Sequence, residues 1–266
     1  MSEQVVRSEV LAPEPAEALA GMLDIDPPPG AELPPLWHWI YLLERRAQRE
    51  LGPDGHPVSG IPAPPGPGRR RMFAGGRVRV RRLLRLGEAA TRTSRVAHRA
   101  EKTGRTGPLT FVTVLNEISQ GDQVVVEDEQ EIVYRTPDST LAAAVPGGTG
   151  VPRVTEPMLT LDVDTRVLFR FSALTYNAHR IHYDHEFARQ DGYDDLVVHG
   201  PLQALMMGEL LRRNGVDLVG REFAYRLVAP MIGPQQMTVC AAEHGLTDGA
   251  ETRDARGAVA AVSTLR

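Results

Sequence analysis

Three histidines fall within seven positions of one stretch, FSALTYNAHRIHYDHEFA, Phe171 to Ala188, where His179, His182 and His185 stand beside Asn177 and Asp184. The chain has 8 histidines in all, so the clustering calls for an account. A polar surface loop is one reading. A metal site is another, since imidazoles and a carboxylate are good ligands, although steps of three and three without a cysteine are unusual for structural zinc. The third is acid–base work by one imidazole in a cleft, because histidine alone titrates near neutral pH without help. Composition and spacing leave the three open.

Whichever holds, the run must be positioned by its neighbours. Downstream lies GPLQALMMGELLRR, Gly200 to Arg213, with Pro201 in the first turn, an apolar stripe of Leu202, Leu205, Met206 and Leu210, and two arginines at the end where the helix dipole favours cations; a helix is predicted. Upstream, LFRFSA reads as a strand, and beyond Gly215 three short strands alternate with turns: EFAYRLVAP, QQMTVCAAE and AVAAVST. In the first half, the opening thirty-five residues end in DPPPGAELPP and are expected to pack little. Leu36 to Gly52, LWHWIYLLERRAQRELG, spaces its apolar residues as an amphipathic helix, and His56 to Arg70 reads as a Pro/Gly loop. RVRVRRLLRL alternates Arg77, Arg79 and Arg81 against Val78 and Val80, the period of a strand. PLTFVTVLNEI and QVVVEDEQEIVYR, separated by SQGD, predict a hairpin turning at Gly121. Pro137 to Pro157 is a connector without periodicity, which divides the chain into an N-terminal half, 1–136, a linker, 137–157, and a C-terminal half, 158–266. Each half offers one principal helix and a run of antiparallel strands, an α+β solution.

FSALTYNAHRIHYDHEFA followed by LVVHGPLQALMMGELL resembles the signature of the MaoC-like dehydratases, hotdog-fold enzymes that add or remove water at enoyl thioesters. Phe171, Thr175, Ile181, His182 and Ala188 fall in register with that signature. The family's aspartate falls on Asn177, the glycine before it on Tyr176, and its Asn–Pro pair on His179–Arg180. These departures resemble the branch with the 3-methylfumaryl-CoA (mesaconyl-C4-CoA) and itaconyl-CoA hydratases and the mitochondrial-type hydroxyacyl-thioester dehydratases, as do LPPLWHWIYLLE and MFAGGRVRV in the first half. The resemblance covers roughly residues 30 to 235. It implies a double hotdog, two tandem half-units each wrapping a sheet around one long helix. The first half, lacking the signature, would be a cover and a ligand wall.

The resemblance also assigns roles. His182 would be the base that deprotonates water and returns the proton to the α-carbon. Asn177 has no removable proton and would fix the attacking water; the alternative is a turn or cap residue. Main-chain N–H groups around Gly200 would receive the developing oxyanion, with His199 lining the same pocket; a plain helix start and a satisfied polar side chain are the alternatives. Arg77 and Arg79 could bind coenzyme A phosphates or simply form a solvated strand face, and Arg180 is the nearest cation for a free acyl carboxylate.

The bulk properties exclude other classes. A chain of 266 residues with no apolar run of membrane-spanning length and no leader-like N-terminus is expected to stay in the cytoplasm, as the lone Cys240 also indicates. Between Arg69 and Arg105 there are twelve arginines and one lysine against Glu88 and Glu101, yet the net charge is −4 and Phe73 is the one aromatic residue of Phe, Tyr or Trp type there, so nucleic acid is not an expected partner. The expected partner is an acyl-CoA thioester, with no cofactor and no metal; a homodimer of double hotdogs is left open. Competing readings are an (R)-3-hydroxyacyl-thioester dehydratase of fatty-acid or polyketide type, a thioesterase using Asp184 or Glu186, and a thioester-binding subunit whose site has decayed.

Overall fold

The computed structural model describes residues 3–66, 69–104, 107–135 and 156–266; most of the predicted linker, 137–155, lies outside them. In the first half β1 (Gln4–Val10) and α1 (Pro13–Met22) precede β2 (Glu32–Leu33), β3 (Arg70–Val80), β4 (Leu84–Arg85), β5 (Ala89–Gly104), β6 (Gly107–Gln120) and β7 (Gln123–Arg135). The second half runs through β8 (Met158–Val163), α2 (Thr165–Leu174), α3 (His185–Gln190), α4 (Gly200–Arg213), β9 (Glu222–Leu227), β10 (Gln235–Ala241), β11 (Ala250–Arg253) and β12 (Val259–Leu265). The hairpin predicted from sequence is β6–β7, closed by Gln120 opposite Gln123 with Gly121 at φ 59, a left-handed turn position that glycine takes without strain.

β2 and β4 pair on their own; the other ten strands form one antiparallel sheet in the order β1-β5-β6-β7-β3-β9-β12-β11-β10-β8. Read outward from its centre, this order repeats. In each half the second long strand, β3 or β9, lies innermost, followed by the fifth, fourth and third, with the first at the edge. The halves join where β3 and β9 pair, from Gly75 opposite Arg226 to Arg79 opposite Glu222. A sheet of two such halves, curved around α4, is a double hotdog.

The halves differ in what fills them. α4 is buried along eleven of its residues and packs against β10, β11 and β12. The equivalent helix predicted at 36–52 does not form: Trp37–Ile40 and Gln48–Glu50 are single 3₁₀ turns. Leu36 and Leu42 take positive φ, and Leu36, Trp37, His38, Ile40, Tyr41 and Leu42 are all buried, so the segment's first seven residues have no polar face for an amphipathic helix to present. Trp37 points across to α4, its Nε1–H donating to Glu209 at 2.9 Å. Room under the first half-sheet is therefore left open.

Two other expectations are corrected. The N-terminal segment packs: β1 pairs with β5 along Gln4–Val10, and α1 buries Leu19, Ala20 and Met22. Its prolines do not break it because Pro13 and Pro15 sit in the first turn, where no N–H is needed. LFRFSA is part of α2, not a strand. Asp164 caps it by accepting from the Val167 N–H at 3.0 Å, and Leu168 and Phe171, three apart, face the core while Phe169 is exposed. Among the described residues no helix is long and apolar enough to cross a membrane.

Candidate active site

The histidine run is not one element but a chain of turns. α2 ends at Leu174, and two residues on Tyr176 takes φ 50, so a non-glycine residue holds the left-handed position. The Asn177 N–H returns to Ser172 O at 2.8 Å, and the Asn177 Oδ1 accepts from the His179 N–H at 3.0 Å, a side-chain-closed turn that leads into the 3₁₀ turn Arg180–His182. Asp184 then caps α3 by accepting from the Phe187 N–H at 3.0 Å. These turns separate the three histidines. His182 is 7% exposed and lines a cleft of about 650 Å³, His179 lines the same cleft, and His185 turns outward to Asp195, Nδ1 to Oδ1 2.6 Å.

His182 is fixed along one edge and against one face. Its Nδ1 lies 2.7 Å from Val197 O, and since a carbonyl only accepts, Nδ1 carries the proton and Nε2 keeps its lone pair. Burial pushes the ring down from 6.5, the Val197 hydrogen bond raises it in part, and His56 lowers it again, to about 4. It is neutral at pH 7. His199 stacks on it with centroids 3.6 Å apart and planes at 19°, while its own Nε2 meets Ser172 Oγ at 2.8 Å. Burial holds His199 well below the usual imidazole range, and its Nδ1 has no hydrogen-bond partner among the described residues.

His199 is the residue before α4, so the stack brings His182 to that helix's amino end, where first-turn N–H groups have no partner within the helix and the dipole favours negative charge. Gly200 lets β9 and β3 side chains approach closely there. A β-carbon would overlap Leu227 Cδ1 of β9 and lie 3.1 Å from Phe73 Cδ1 of β3. The cleft thus sits on the seam between the halves and continues beneath the first half-sheet, where Ser94, Asn116 and Gln130 line it with His38, Arg92 and Asp128.

The first half contributes more than a wall. The Gly52–Val58 turn docks on the histidine run: the Arg180 N–H donates to Asp54 O at 2.9 Å, the Arg180 Nη1 to Pro53 O at 3.0 Å, and Gly55, φ 89, leaves no room for a β-carbon against Ala178 O. This brings His56 into the cleft with its ring 4.0 Å from that of His179. Asp54 is raised by burial, but hydrogen bonds from the His56 ring and N–H outweigh it and hold the carboxyl at about 2. Asp54, His56 and His179 are also the residues whose donor atoms, all within 4.8 Å of one another, could hold a cation; His182, His185 and Asp184 do not converge. None of these first-half residues was singled out from sequence. The Asp-Gly-His turn inside the proline-rich loop was the available signal.

The arginines sort differently from their sequence assignment. Arg77 and Arg79 lie on the exposed face of β3, paired with Glu129 at 2.8 Å and with Glu222, and do not line the cleft. Arg180 holds Asp184, Nη2 to Oδ2 2.7 Å, and the Gly52–Val58 turn, and does not line it either. The cleft's guanidiniums are Arg7, Arg71, Arg92 and Arg135.

Fold and site together define a double hotdog of the MaoC-like kind. The chain belongs to the hydroxyacyl-thioester dehydratase type 2 family, whose model matches residues 36–233. It is 43% identical over 258 residues to the mesaconyl-C(4)-CoA hydratase of Chloroflexus aurantiacus, covering 94% of this chain and 91% of that one. HtdX of Mycobacterium tuberculosis shares the fold with a TM-score of 0.70 at 16% identity over 99% of both chains. A second protein of that organism, described as a double hotdog, gives a TM-score of 0.55 at 13% identity over 100% of this chain and 96% of its own.

Proposed function

We propose that the protein hydrates the C=C bond of a short enoyl-CoA thioester, with mesaconyl-C4-CoA the first candidate substrate and itaconyl-CoA the second. The observation that carries this is His182: a neutral ring with its Nδ1–H tied to Val197 O, presenting a lone pair beside the start of α4. Hydration needs a base for water, a donor to the α-carbon, and relief for the negative charge that moves to the thioester oxygen. His182 Nε2 takes the proton as water attacks the β-carbon. The resulting imidazolium, with an ordinary value displaced to about 4, gives that proton readily to the α-carbon. N–H groups at the start of α4 face the oxyanion; such donors contribute ~3–4 kcal/mol to lowering a barrier. Asn177 spends its oxygen on the His179 N–H, so its amide NH₂ is what remains to hold the water.

The choice of a short acyl group rests on the relative's activity and on the cleft's inner end. A long alkyl chain would strip water from Ser94, Asn116, Gln130 and Arg92 without replacing its hydrogen bonds. That weighs against a fatty-acyl dehydratase. For a thioesterase, Asp184 is committed to Arg180 and the α3 cap, Glu186 accepts from Gln190, and neither lines the cleft.

The test is incubation of purified protein with mesaconyl-C4-CoA, itaconyl-CoA and crotonyl-CoA, following enoyl absorbance, product mass and free thiol. A product one water heavier without thiol release is expected, and His182→Ala should lose about 10²–10⁴ in rate with the fold intact. Thiol release, or an unimpaired variant, removes the reading.

A further inference from the structure

Arginines crowd the start of β3, and all but one have work to do. Arg69 donates to Thr110 Oγ1 and Tyr134 O, Arg70 pairs with Asp191 at 2.9 Å, and Arg77 and Arg79 pair with glutamates. The Arg71 side chain has no hydrogen bond and no ion pair among the described residues, although it is half-buried and lines the cleft. The carboxylates close enough to affect it are taken: Glu44 by Arg7 at 2.8 Å and by Arg46, and Asp54 by His56 at 3.0 Å. Burial accordingly pushes the guanidinium down from its ordinary value. A cation left without an anion in a partly dry cleft is poorly placed for stability and well placed for a ligand.

Its position relative to the chemistry is set by the strand. Phe73, two residues further along β3 and also lining the cleft, stands against Gly200, and a two-residue step in a strand is about 6.6 Å. On the other side Arg71 is close enough to His179 for its charge to disfavour protonation there, and the rings of His179 and His182 are 5.6 Å apart. Arg71 therefore lines the same cleft as the helix start and the base, one strand-face position along from the ring that touches Gly200. In an extended butenedioyl monothioester the two carboxyl carbons are three bonds apart across a planar trans unit, about 3.8 Å as between successive Cα atoms. A guanidinium N–H···O contact of about 2.9 Å at the free carboxylate is then within the span of one such ligand in the cleft.

We infer that Arg71 recognises a carboxylate carried on the β-carbon of the acyl group, and so makes short dicarboxylic monothioesters the preferred substrates. This rests on the hydratase reading above. The pairing does two things. The planar guanidinium fork fixes the acyl plane relative to His182, and it neutralises a charge that would otherwise repel the hydroxide-like nucleophile arriving at the adjacent carbon. The effect therefore falls on kcat as well as on KM.

The test compares mesaconyl-C4-CoA with 3-methylcrotonyl-CoA, which has a methyl in place of the carboxylate, for the parent protein, Arg71→Met and Arg71→Lys. Arg71→Met should lose about a hundredfold or more in kcat/KM on the dicarboxylic thioester while changing by less than about threefold on the methyl analogue; Arg71→Lys should recover part of the loss. Because the lost guanidinium has no partner, the unfolding midpoint of Arg71→Met should not drop. Equal losses on the two thioesters, or an unchanged rate on mesaconyl-C4-CoA, would overturn the assignment. Should the parent hydrate neither thioester, the hydratase reading falls, and free mesaconate then probes Arg71 directly. A rise in the parent's unfolding midpoint that Arg71→Met abolishes upholds carboxylate recognition, and identical behaviour of the two proteins refutes it.

Discussion

The acid limb of the rate profile follows from how His182 is housed. An ordinary imidazole at 6.5 would be only about one-tenth neutral at pH 5.5, so a base of that kind would lose roughly tenfold in kcat/KM between pH 7.5 and 5.5. Burial holds His182 at about 4 instead. At pH 5.5 nearly all of it is still the free base, and kcat/KM should fall by less than about twofold over the same interval. The same displacement acts on stability. Between about 4 and 6.5 the unfolded chain binds a proton at this position that the folded protein does not, so stability is fully present above pH 6.5 and declines as the pH falls toward 4. A difference of 6.5 − 4 corresponds to about 3 kcal/mol. Initial rates of enoyl loss at pH 4.5 to 8, with urea midpoints at the same pH values, read the two effects separately. An acid limb centred near 6.5 in a protein that remains folded would refute the assignment of His182 as the base.

Gly200→Ala should lower kcat by about 10²–10³, because the new methyl pushes on Leu227 and Phe73 and moves the helix start; steady-state kinetics of this variant against Gly200→Ala/Leu227→Ala should show partial recovery in the pair. Gly55→Ala should impair activity more than secondary structure, since φ 89 and the Ala178 carbonyl both reject a β-carbon and the Gly52–Val58 turn must lift off the histidine run; kinetics alongside circular dichroism check this. Trp37→Phe removes a donor to the buried Glu209 and should reduce the free energy of unfolding by about 1.5–3 kcal/mol in urea titration, with Arg212 and Arg213 still holding the carboxylate.

What could be read from the sequence divides by distance along the chain. α4 was legible because its proline, its apolar stripe and its closing arginines are all within it, and the β6–β7 hairpin because Gly121 sits between two β-branched runs. The 36–52 segment has helical spacing, but burial overrules it over Leu36–Leu42, and two of its leucines take left-handed backbone to achieve that. LFRFSA alone reads as a strand because the cap that starts α2, Asp164, lies before it, and α1 is hidden by prolines that do no harm in the first turn of a helix. The site divides the same way. Asn177, His182, His199 and Gly200 belong to one continuous stretch whose order resembles a known signature. His56 and Arg71 reach the cleft from the other half-unit, through a docked turn and the pairing of β3 with β9, and apart from the Asp-Gly-His turn no local pattern encodes that approach.

The junction of β3 and β9 has an evolutionary and a thermodynamic side. Two half-units on one polypeptide meet at a fixed effective concentration, so their union does not weaken on dilution as a dimer's would. Nor is either obliged to mirror the other. Relieved of that symmetry, one half holds the long helix α4 while the other carries only short turns at 36–52, and the space beneath its sheet is lined by Arg71, Arg92 and Arg135, where we propose that the acyl end of the ligand lies.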